Sequence, residues 1–373
     1  STAGDVARAN DEKSLHGRHS SRFVATPNQE GRSSVRIQVV PSGHSFEAAA
    51  DETLLEAALR QGVLIPHGCR NGACGACKGK VLAGDVDHGS ALPHALSDAD
   101  KAAGITLACC ARARSDLTLE CHQVSRADDI PVKTLPARIE RLEKLAPDVI
   151  ELFLRLPASE KLQFRAGQYI DILLKDGRRR SFSLANAPHD DQLLQLHIRH
   201  VPDGFFTGQV FSTMKARDIL RFDGPHGSFY LREDSPKPAI LLAGGTGFAP
   251  IKAMVEHALH QNLRRPLHIY WGAKRRVDLY LPELPLGWTT QNAQLRYTPV
   301  LSEPAAGDAW NGRTGLVHQA VLADYPDLSG HQVYACGSPL MIDAARHDFI
   351  NQCGLPEAEF FSDAFTFTPD QPR

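Results

Sequence analysis

The pattern of apolar and polar positions changes twice along the chain, and each change indicates a new structural module. Residues 35–40 alternate apolar and polar side chains with a period of two, which predicts a strand, and an apolar-periodic helix begins after Thr53. From residue 137 to about 232, short alternating strands lie between glycine and proline turns, which indicates a small antiparallel barrel. Beyond residue 237, continuous apolar runs such as 239–243 alternate with amphipathic helices, as in a doubly wound α/β domain.

These changes predict a multidomain chain with a disordered leader at 1–33 and domains at 34–125, 130–234 and 235–373. The leader is polar and lacks the apolar core of a secretory signal; a remnant of cloning is the alternative. A net charge of −2 excludes a strongly basic nucleic-acid footprint, and no apolar run reaches the length of a membrane span. The cysteine usage does not suggest a disulfide scaffold, so the cytoplasm is the expected compartment.

Four cysteines carry the strongest chemical signal. Cys69, Cys74 and Cys77 are separated by four and two residues, and Cys109 follows thirty-one residues later. This spacing matches the plant-type pattern of four thiolates around a [2Fe–2S] cluster. Glycines between the cysteines let the backbone wrap closely around a cofactor. The chain is therefore expected to move electrons one at a time.

The cysteines also allow two other interpretations, a zinc site or buried free thiols. A zinc site would pair short Cys-x-x-Cys knuckles, which the outer gap of four residues fits poorly, and buried free thiols would leave the glycines unexplained. Cys110 competes with Cys109 for the fourth ligand position, but the surrounding frame favours Cys109. The isolated cysteines are expected to be buried small apolar residues: Cys121, Cys336 and Cys353.

Two further motifs suggest bound nucleotides. In Arg180-Ser181-Phe182-Ser183, the arginine can bind a pyrophosphate, the phenylalanine can contact a flavin ring and the last serine can hydrogen-bond its edge. An exposed basic turn is the alternative. The run Gly244-Gly245-Thr246-Gly247 opens a helix and can present bare amides to a phosphate, although a tight structural turn would have the same sequence.

The order of these motifs resembles the ferredoxin–NADP reductase superfamily. Its flavin motif is R-x-Y/F-S, its nicotinamide domain begins G-G-T/S-G-x-x-P, and it carries C-G-x-P-x-M, which matches 336–341 here. The resemblance spans about residues 34–370 and implies a β-grasp ferredoxin (α+β) domain, a six-stranded antiparallel flavin-binding barrel and a doubly wound nicotinamide domain. The iron–sulfur module comes first and the flavin and nicotinamide modules follow it, which is the order of the oxygenase-reductase group. The C-terminal run 359–367 and the segment 198–202 look closer to CDP-6-deoxy-3,4-glucoseen reductases.

The resemblance also implies the roles of individual residues. Cys336 would lie beside the nicotinamide. Cys336, Ser183 and Glu359 are the expected catalytic residues, with Glu359 near the other two and Phe365 on the flavin face. The expected FAD contacts are Arg180, Ser181, Phe182, Ser183, Ile198, Arg199, Gly204, Thr207 and Phe365. The expected nicotinamide contacts are Gly245, Thr246, Gly247, Pro250, Cys336, Gly337 and Met341.

The expected function is electron transfer from NAD(P)H through FAD and the cluster to a one-electron acceptor protein. Basic residues after the second strand of the last domain, such as Arg275, occur in both NADPH and NADH users of the family; we favour NADH. A deoxysugar dehydrase is the favoured acceptor, and an oxygenase component is the alternative. A non-enzymatic iron–sulfur redox sensor is the alternative of another class. Neither nucleic acid nor membrane insertion is expected.

Overall fold

The computed structural model describes residues 34–126 and 130–366. The predicted leader at 1–33 lies outside the described residues. No described helix is long and apolar enough to cross a membrane. The described elements form three principal sheets, one for each expected module.

The first sheet belongs to the cysteine-containing module. The elements of this module are, in chain order, β1 (Val35–Val40), β2 (Ser45–Ala48), α1 (Leu54–Arg60), β3 (Val63–Leu64), β4 (Lys78–Ala83), β5 (Val86–Asp87), α2 (Asp98–Ala102), β6 (Ile105–Leu107), β7 (Arg112–Ala113), β8 (Leu117–Glu120) and β9 (Ser125–Arg126). The main sheet has the order β2-β1-β8-β4-β6, with β1 and β8 parallel. Helix α1 packs four buried side chains against this sheet, as its apolar period predicts.

Both helices of this module start where the sequence places a cap. The Thr53 hydroxyl accepts from the backbone N–H of Glu56 at 3.2 Å, and the Glu56 carboxylate accepts from the N–H of Thr53 at 2.9 Å. Ser97 and Asp100 form the same reciprocal pair at the start of α2. These capping boxes satisfy backbone donors that a helix leaves unpaired, so they fix the two starting points.

The second sheet is a closed antiparallel barrel. Its module contains β10 (Lys133–Ala146), β11 (Val149–Arg155), β12 (Tyr169–Leu173), β13 (Arg179–Ser183), β14 (Leu194–Arg199), α3 (Phe205–Ser212) and β15 (Ile219–His226). The six strands follow the order β13-β12-β15-β10-β11-β14. An isolated bridge between Leu184 and Leu196 links the two ends, which leaves no open edge there. The predicted six-stranded barrel is confirmed.

The third sheet is entirely parallel. Its module contains β16 (Ala239–Gly244), α4 (Phe248–His260), β17 (Leu267–Ala273), α5 (Glu283–Gln291), β18 (Leu295–Leu301), β19 (Arg313–Thr314), α6 (Val317–Asp324), β20 (Gln332–Gly337), α7 (Pro339–Cys353) and β21 (Phe360–Ala364). The order is β19-β18-β17-β16-β20-β21, so the winding reverses between β16 and β20. Ligands of doubly wound sheets bind outside the carboxyl ends of the strands at such a reversal.

The three modules are in direct contact. The Tyr169 hydroxyl, in the barrel, donates to the carbonyl of Gly68 in the cysteine loop at 2.7 Å. Gln123, after the first sheet, donates to the carbonyls of Ala358 and Phe360 next to the third sheet at 3.0 and 2.9 Å. The buried Lys252 ammonium of α4 donates to the Ala185 carbonyl of the barrel at 3.1 Å. Each module therefore hydrogen-bonds a neighbour.

Candidate functional site

The cysteine loop connects β3 to β4 and brings three of the four expected ligands close together. Gly72 and Gly75 adopt φ values of +78° and +73°, a region that favours glycine. Space is also restricted, because a Cβ on Gly72 would lie 2.6 Å from the Cys110 sulfur. The loop can therefore close around the thiols only with glycine at this position.

Interactions between thiols bring the four expected ligands together. The Cys69 sulfur accepts from the N–H groups of Ala73 and Cys74 at 3.4 and 3.3 Å, and the Cys74 sulfur accepts from the Cys69 N–H at 3.4 Å. A hydrogen bond from the Cys74 thiol lowers the pKa of Cys69 to about 6. The Cys109 thiol, in the turn after β6, interacts with those of Cys110 and Cys77; the first interaction lowers its pKa, and the second, together with burial, raises it overall. Loop amides and a stabilised thiolate are the features that a cluster needs.

Cys110 lies beside the expected fourth ligand. Its sulfur is 3.7 Å from that of Cys109, and both side chains are buried. The hydrogen bond with Cys109, followed by burial, raises the pKa of the Cys110 thiol. The Cys109 thiol also interacts with that of Cys77, which supports Cys109 as the fourth ligand, and the assignment stays a prediction.

The expected flavin motif forms strand β13 and contains an unsatisfied polar atom. The Ser183 hydroxyl is buried and has no hydrogen-bond partner among the described residues. Such an orphan costs free energy unless a ligand completes it. The Phe182 ring packs on Phe206 of α3 at a centroid distance of 5.4 Å. Burial, and then the neighbouring charge of Arg178, lower the pKa of the Arg180 guanidinium, which is typical of a cation in a positive environment. These residues fit a flavin.

Arg199 stands between the barrel and the glycine turn. Its Nε lies 3.3 Å from an Asp148 carboxylate oxygen, yet Nε and Nη2 are buried without a hydrogen bond in the described part of the chain. A Cβ on Gly245 would lie 3.1 Å from Arg199 Nη1. A half-buried guanidinium beside a phosphate-binding turn is suited to a nucleotide phosphate. The neighbouring Ile198 side chain is fully buried in the barrel core, so only its backbone can contact a ligand.

The start of α3 holds the other two expected flavin residues. A Cβ on Gly204, the N-cap, would lie 2.6 Å from the Thr207 hydroxyl oxygen, so this turn too requires glycine. That hydroxyl accepts from the N–H of Val201 at 3.1 Å and is buried. Thr207 therefore shapes the turn that precedes the helix, and the bare backbone of the turn is what remains for a pyrophosphate.

The glycine turn follows β16 at the reversal of the third sheet. Residues Gly245–Gly247 form one 3₁₀ turn before α4, and Pro250 lies buried in the first turn of that helix. A Cβ on Gly247 would lie 2.1 Å from the carbonyl oxygen of Cys336, and one on Gly244 would lie 2.7 Å from the Met341 sulfur. The turn is half-buried at Thr246. The absence of side chains therefore brings the turn against the end of β20.

Cys336 occupies the carboxyl end of β20 and is fully buried. Burial, then the nearby Asp363, raise the pKa of its thiol. The backbone N–H of Phe365 donates to the carbonyl of Gly337 at 2.7 Å, so Phe365 also lies at this end of the sheet. Both Cys336 and Phe365 therefore lie where a ligand of the sheet would bind.

The prediction that Glu359 lies near Cys336 is wrong. Glu359 is 2.6 Å from the Lys237 ammonium and accepts from the Gln332 amide at 2.8 Å. Gln332 begins β20, and Cys336 lies four residues further along the strand, or about 13 Å at the usual rise. The parallel register, which pairs Val333 with Phe360, sets this separation.

The acid that does lie beside Cys336 is Asp363, which the sequence reasoning missed. The two residues are partners in the ladder between β20 and β21. Asp363 is buried, and burial together with the charge of Cys69 raises its pKa to about 7. A Cβ on Gly68 would lie 3.0 Å from its carboxylate, so it also adjoins the cysteine loop. The sequence did offer one sign of this residue, since Asp363 is the single acidic residue within the mostly apolar strand 360–364.

Family models match each of the three modules. They are a 2Fe-2S iron-sulfur cluster binding domain at residues 37–114, an oxidoreductase FAD-binding domain at 136–230 and an oxidoreductase NAD-binding domain at 241–347. The expected [2Fe–2S] cluster, FAD and nicotinamide cofactor are thereby confirmed, and the first match favours the cluster over the zinc alternative. The three matches follow one another in the order that the motifs predicted.

Complete relatives are similar over nearly the whole chain. The CDP-6-deoxy-L-threo-D-glycero-4-hexulose-3-dehydrase reductase of Yersinia pestis is 44% identical over 334 residues, which cover 89% of this chain and 98% of that protein. The terephthalate 1,2-dioxygenase reductase component 1 of a Comamonas species is 34% identical over 336 residues, which cover 90% of this chain and 98% of that protein. The crystal structure of the Amycolatopsis cytochrome P450 reductase GcoB aligns with a TM-score of 0.71 and 33% identity, covering 89% and 98%.

These relatives are named as reductases and align with this chain over nearly their whole length. The matched domains bind the iron–sulfur cluster, FAD and the nicotinamide cofactor. The chain is thus an NAD(P)H-dependent electron-transfer flavoprotein that serves a protein acceptor. It belongs to the iron–sulfur flavoprotein reductases of the ferredoxin–NADP reductase superfamily, of the oxygenase-reductase type.

Proposed function

We propose that this chain is an NADH-dependent reductase that delivers single electrons to a deoxysugar dehydrase. The observation that carries the proposal is the 44% identity, over almost its full length, to a reductase of a CDP-6-deoxy-hexulose dehydrase. Relatives named for oxygenases are 34% identical, which makes an oxygenase component the second candidate acceptor. A cytoplasmic location goes with the proposal, because thiolate ligands are kept reduced there.

The bound cofactors supply the redox chemistry: nicotinamide gives two electrons together, flavin divides them, and the cluster passes them singly. The residues of this chain hold and orient those groups. We assign Cys69, Cys74, Cys77 and Cys109 as the cluster ligands; the support is their spacing in the sequence and the interactions of Cys69 with Cys74 and of Cys77 with Cys109.

On the flavin side, we assign Arg180 to the pyrophosphate and the Ser183 hydroxyl to the flavin edge. The support is that this hydroxyl is buried without a partner in the described part of the chain. On the nicotinamide side, we place the nicotinamide at the carboxyl end of β20, where the bare turn at Gly247 packs against the backbone of the buried Cys336.

Charge pairing after β17 supports NADH as the donor. Doubly wound sheets select the adenosine ribose near the end of this strand, where an arginine accommodates the 2′-phosphate of NADP. Arg275 lies there, but both Asp308 carboxylate oxygens engage it, at 2.9 and 3.1 Å. The Arg275 hydrogen bond is also the main cause that lowers the pKa of Asp308 to about 2. A carboxylate in this position occupies the arginine and repels a phosphate.

The cofactor choice is tested with Asp308→Ser, which should shift the ratio of kcat/KM for NADPH over NADH upward by about tenfold. Glu303→Gln is the matched control, since Glu303 pairs with the adjacent Lys274 at 3.6 Å and should leave the ratio unchanged. An unchanged ratio in Asp308→Ser, or an equal shift in both variants, would contradict the assignment.

The electron path is tested with Cys77→Ser. The variant should lose cytochrome c reduction and keep NADH–ferricyanide activity, because ferricyanide can accept electrons directly from flavin. Cys336→Ala should slow both activities, because it acts before the path divides. If wild-type protein reduced neither acceptor with NADH, the redox-sensor alternative would stand instead.

The acceptor is tested by reconstitution. The reductase with a CDP-6-deoxy-4-hexulose-3-dehydrase should support NADH-dependent deoxygenation of the sugar, and with an aromatic-ring oxygenase component it should support no more than background oxygenation. The reverse pattern would identify the second candidate acceptor. Iron and sulfide content measured on both samples ensures that a negative result is not due to a missing cluster.

A further inference from the structure

The residue after the first cluster ligand reaches into the flavin-binding barrel. Arg70 adopts a φ of +57°, an uncommon conformation for a residue with a side chain. Its guanidinium donates to the Asp171 carboxylate of strand β12, across 101 positions in the sequence. The Asp171 side chain is 3% exposed, whereas that of Arg70 is 26% exposed. The cysteine loop is therefore tied to a buried acid of another module.

The other oxygen of the same carboxylate accepts from the flavin-motif strand. The Ser181 hydroxyl donates to Asp171 at 2.6 Å, and the two residues are cross-strand partners between β12 and β13. Ser181 lies between Arg180 and Phe182, the expected pyrophosphate and ring contacts. One carboxylate thus bridges the neighbour of a cluster ligand and the strand assigned to flavin.

Two other basic side chains lie near Asp171, but each is closer to another carboxylate. Arg179 lies 3.7 Å and His226 3.9 Å from the carboxylate, but both are closer to Asp223, at 2.8 and 3.1 Å. Arg70 is therefore the nearest cation of Asp171. A buried ion pair adds little net stability over an apolar replacement, but it can fix one arrangement of two elements. A pair in this place is therefore suited to setting geometry.

We propose that Asp171 is a positioning residue that fixes the cluster-binding loop against the flavin-binding strand and thereby sets the rate of electron passage from flavin to cluster. The proposal rests on the cofactor sites of the proposed function. It requires no bond change at Asp171, which acts only through Arg70 and Ser181. Hydride transfer to flavin, which depends on the third module, lies outside its influence.

The test compares Asp171→Asn, Arg70→Gln and the double variant with wild-type holoprotein. In anaerobic stopped-flow mixing with NADH, Asp171→Asn should reduce its flavin at the wild-type rate and its cluster about tenfold more slowly, since small misplacements of reacting groups cost that much or more. The double variant should be no slower than the single variants, because both remove the same contact. Glu140→Gln is the matched control, a barrel carboxylate paired with Arg155 at 3.0 Å, and should change neither rate.

Hydrogen–deuterium exchange gives a readout that does not depend on turnover. Backbone amides of residues 67–74 should exchange faster in Asp171→Asn and at the wild-type rate in Glu140→Gln. Unchanged cluster reduction with unchanged exchange would overturn the proposal. A parallel loss of flavin content and of both rates would overturn it too, because Asp171 would then serve folding.

Arg70→Lys provides a second route if Asp171→Asn does not fold. It keeps the positive charge beside Asp171 and loses the guanidinium geometry, so cluster reduction should slow less than in Arg70→Gln while flavin reduction stays constant. Slowing of flavin reduction in Arg70→Lys would contradict the proposed order. If wild-type protein itself did not pass electrons from NADH to its cluster, the proposed function would fail rather than this inference alone.

Discussion

Gly247 offers the sharpest test of how the nicotinamide site is built. Its φ of −59° suits alanine, so the position is restricted by space and not by backbone conformation. A Cβ there would lie 2.1 Å from the Cys336 carbonyl oxygen and 2.5 Å from its carbonyl carbon. Both atoms belong to a fully buried strand that cannot rotate away. Gly247→Ala therefore forces the turn or β20 to move by about 1 Å, and a shift of that size at a reacting centre costs about 100-fold in rate.

The same substitution should also reduce stability. Overpacking of a buried site usually costs about 1–3 kcal/mol, and backbone contacts place Gly247 toward the upper part of that range. The measurements are urea denaturation followed by circular dichroism, and NADH–ferricyanide turnover at saturating and limiting NADH. We expect the free energy of unfolding to fall by about 3 kcal/mol and kcat/KM to fall by about 100-fold.

Gly287→Ala is the matched control in the same domain. Gly287 lies inside helix α5, and a Cβ there would meet nothing within 4 Å. Alanine should stabilise the helix by about 0.5–1 kcal/mol and leave turnover unchanged. If Gly247→Ala matched Gly287→Ala in both assays, the close approach of the turn to Cys336 would not determine the site.

Three further outcomes are expected. Cys109→Ser should lose the iron and sulfide of the cluster, while Cys110→Ser should retain both by chemical analysis; the opposite result would place the fourth ligand at Cys110. Arg180→Ala should weaken FAD binding by about 2 kcal/mol, as measured by fluorescence titration of the apoprotein, because a charged hydrogen bond to pyrophosphate is lost; unchanged affinity would show that the motif is misplaced. Burial lowers the pKa of His268 to about 4, so the unfolded chain binds the proton first and wild-type stability should fall between pH 6.5 and 4. His268→Asn should show a smaller fall over that range in thermal denaturation, and an equal fall would refute this reasoning.

Local motifs explain why so much was predictable from sequence. The cysteine spacing, the glycine turn and the capping pairs each lie within a short segment, so their geometry depends on neighbours in the chain. The motif that starts at Cys336 marks the carboxyl end of β20, and the structure confirms the doubly wound domain to which this strand belongs. The described elements also follow the apolar periods, as in the strand at 149–155 and the helix at 248–260.

Long-range register explains what was missed. Whether Glu359 or Asp363 adjoins Cys336 depends on how β21 slides along β20, and no local pattern encodes that pairing. The Arg70–Asp171 bridge spans two modules and is equally invisible in either segment. In both cases an acid within an apolar strand was the only local sign, and it identifies a buried charge without naming its partner.

The close approach at Gly68 has a consequence for modular engineering. Its carbonyl accepts the Tyr169 hydroxyl of the barrel, while its Cα faces the Asp363 carboxylate of the third sheet, which a Cβ would approach to 3.0 Å. One residue of the iron–sulfur module therefore touches both of the other modules. Exchanging this module for a foreign ferredoxin domain would change two junctions at once, so a chimera needs a glycine here and matching tyrosine and aspartate partners. A side chain at position 68 would press on the Asp363 carboxylate and would also lie 3.5 Å from the Cys74 sulfur, so it would disturb the junction with the third sheet beside an expected cluster ligand.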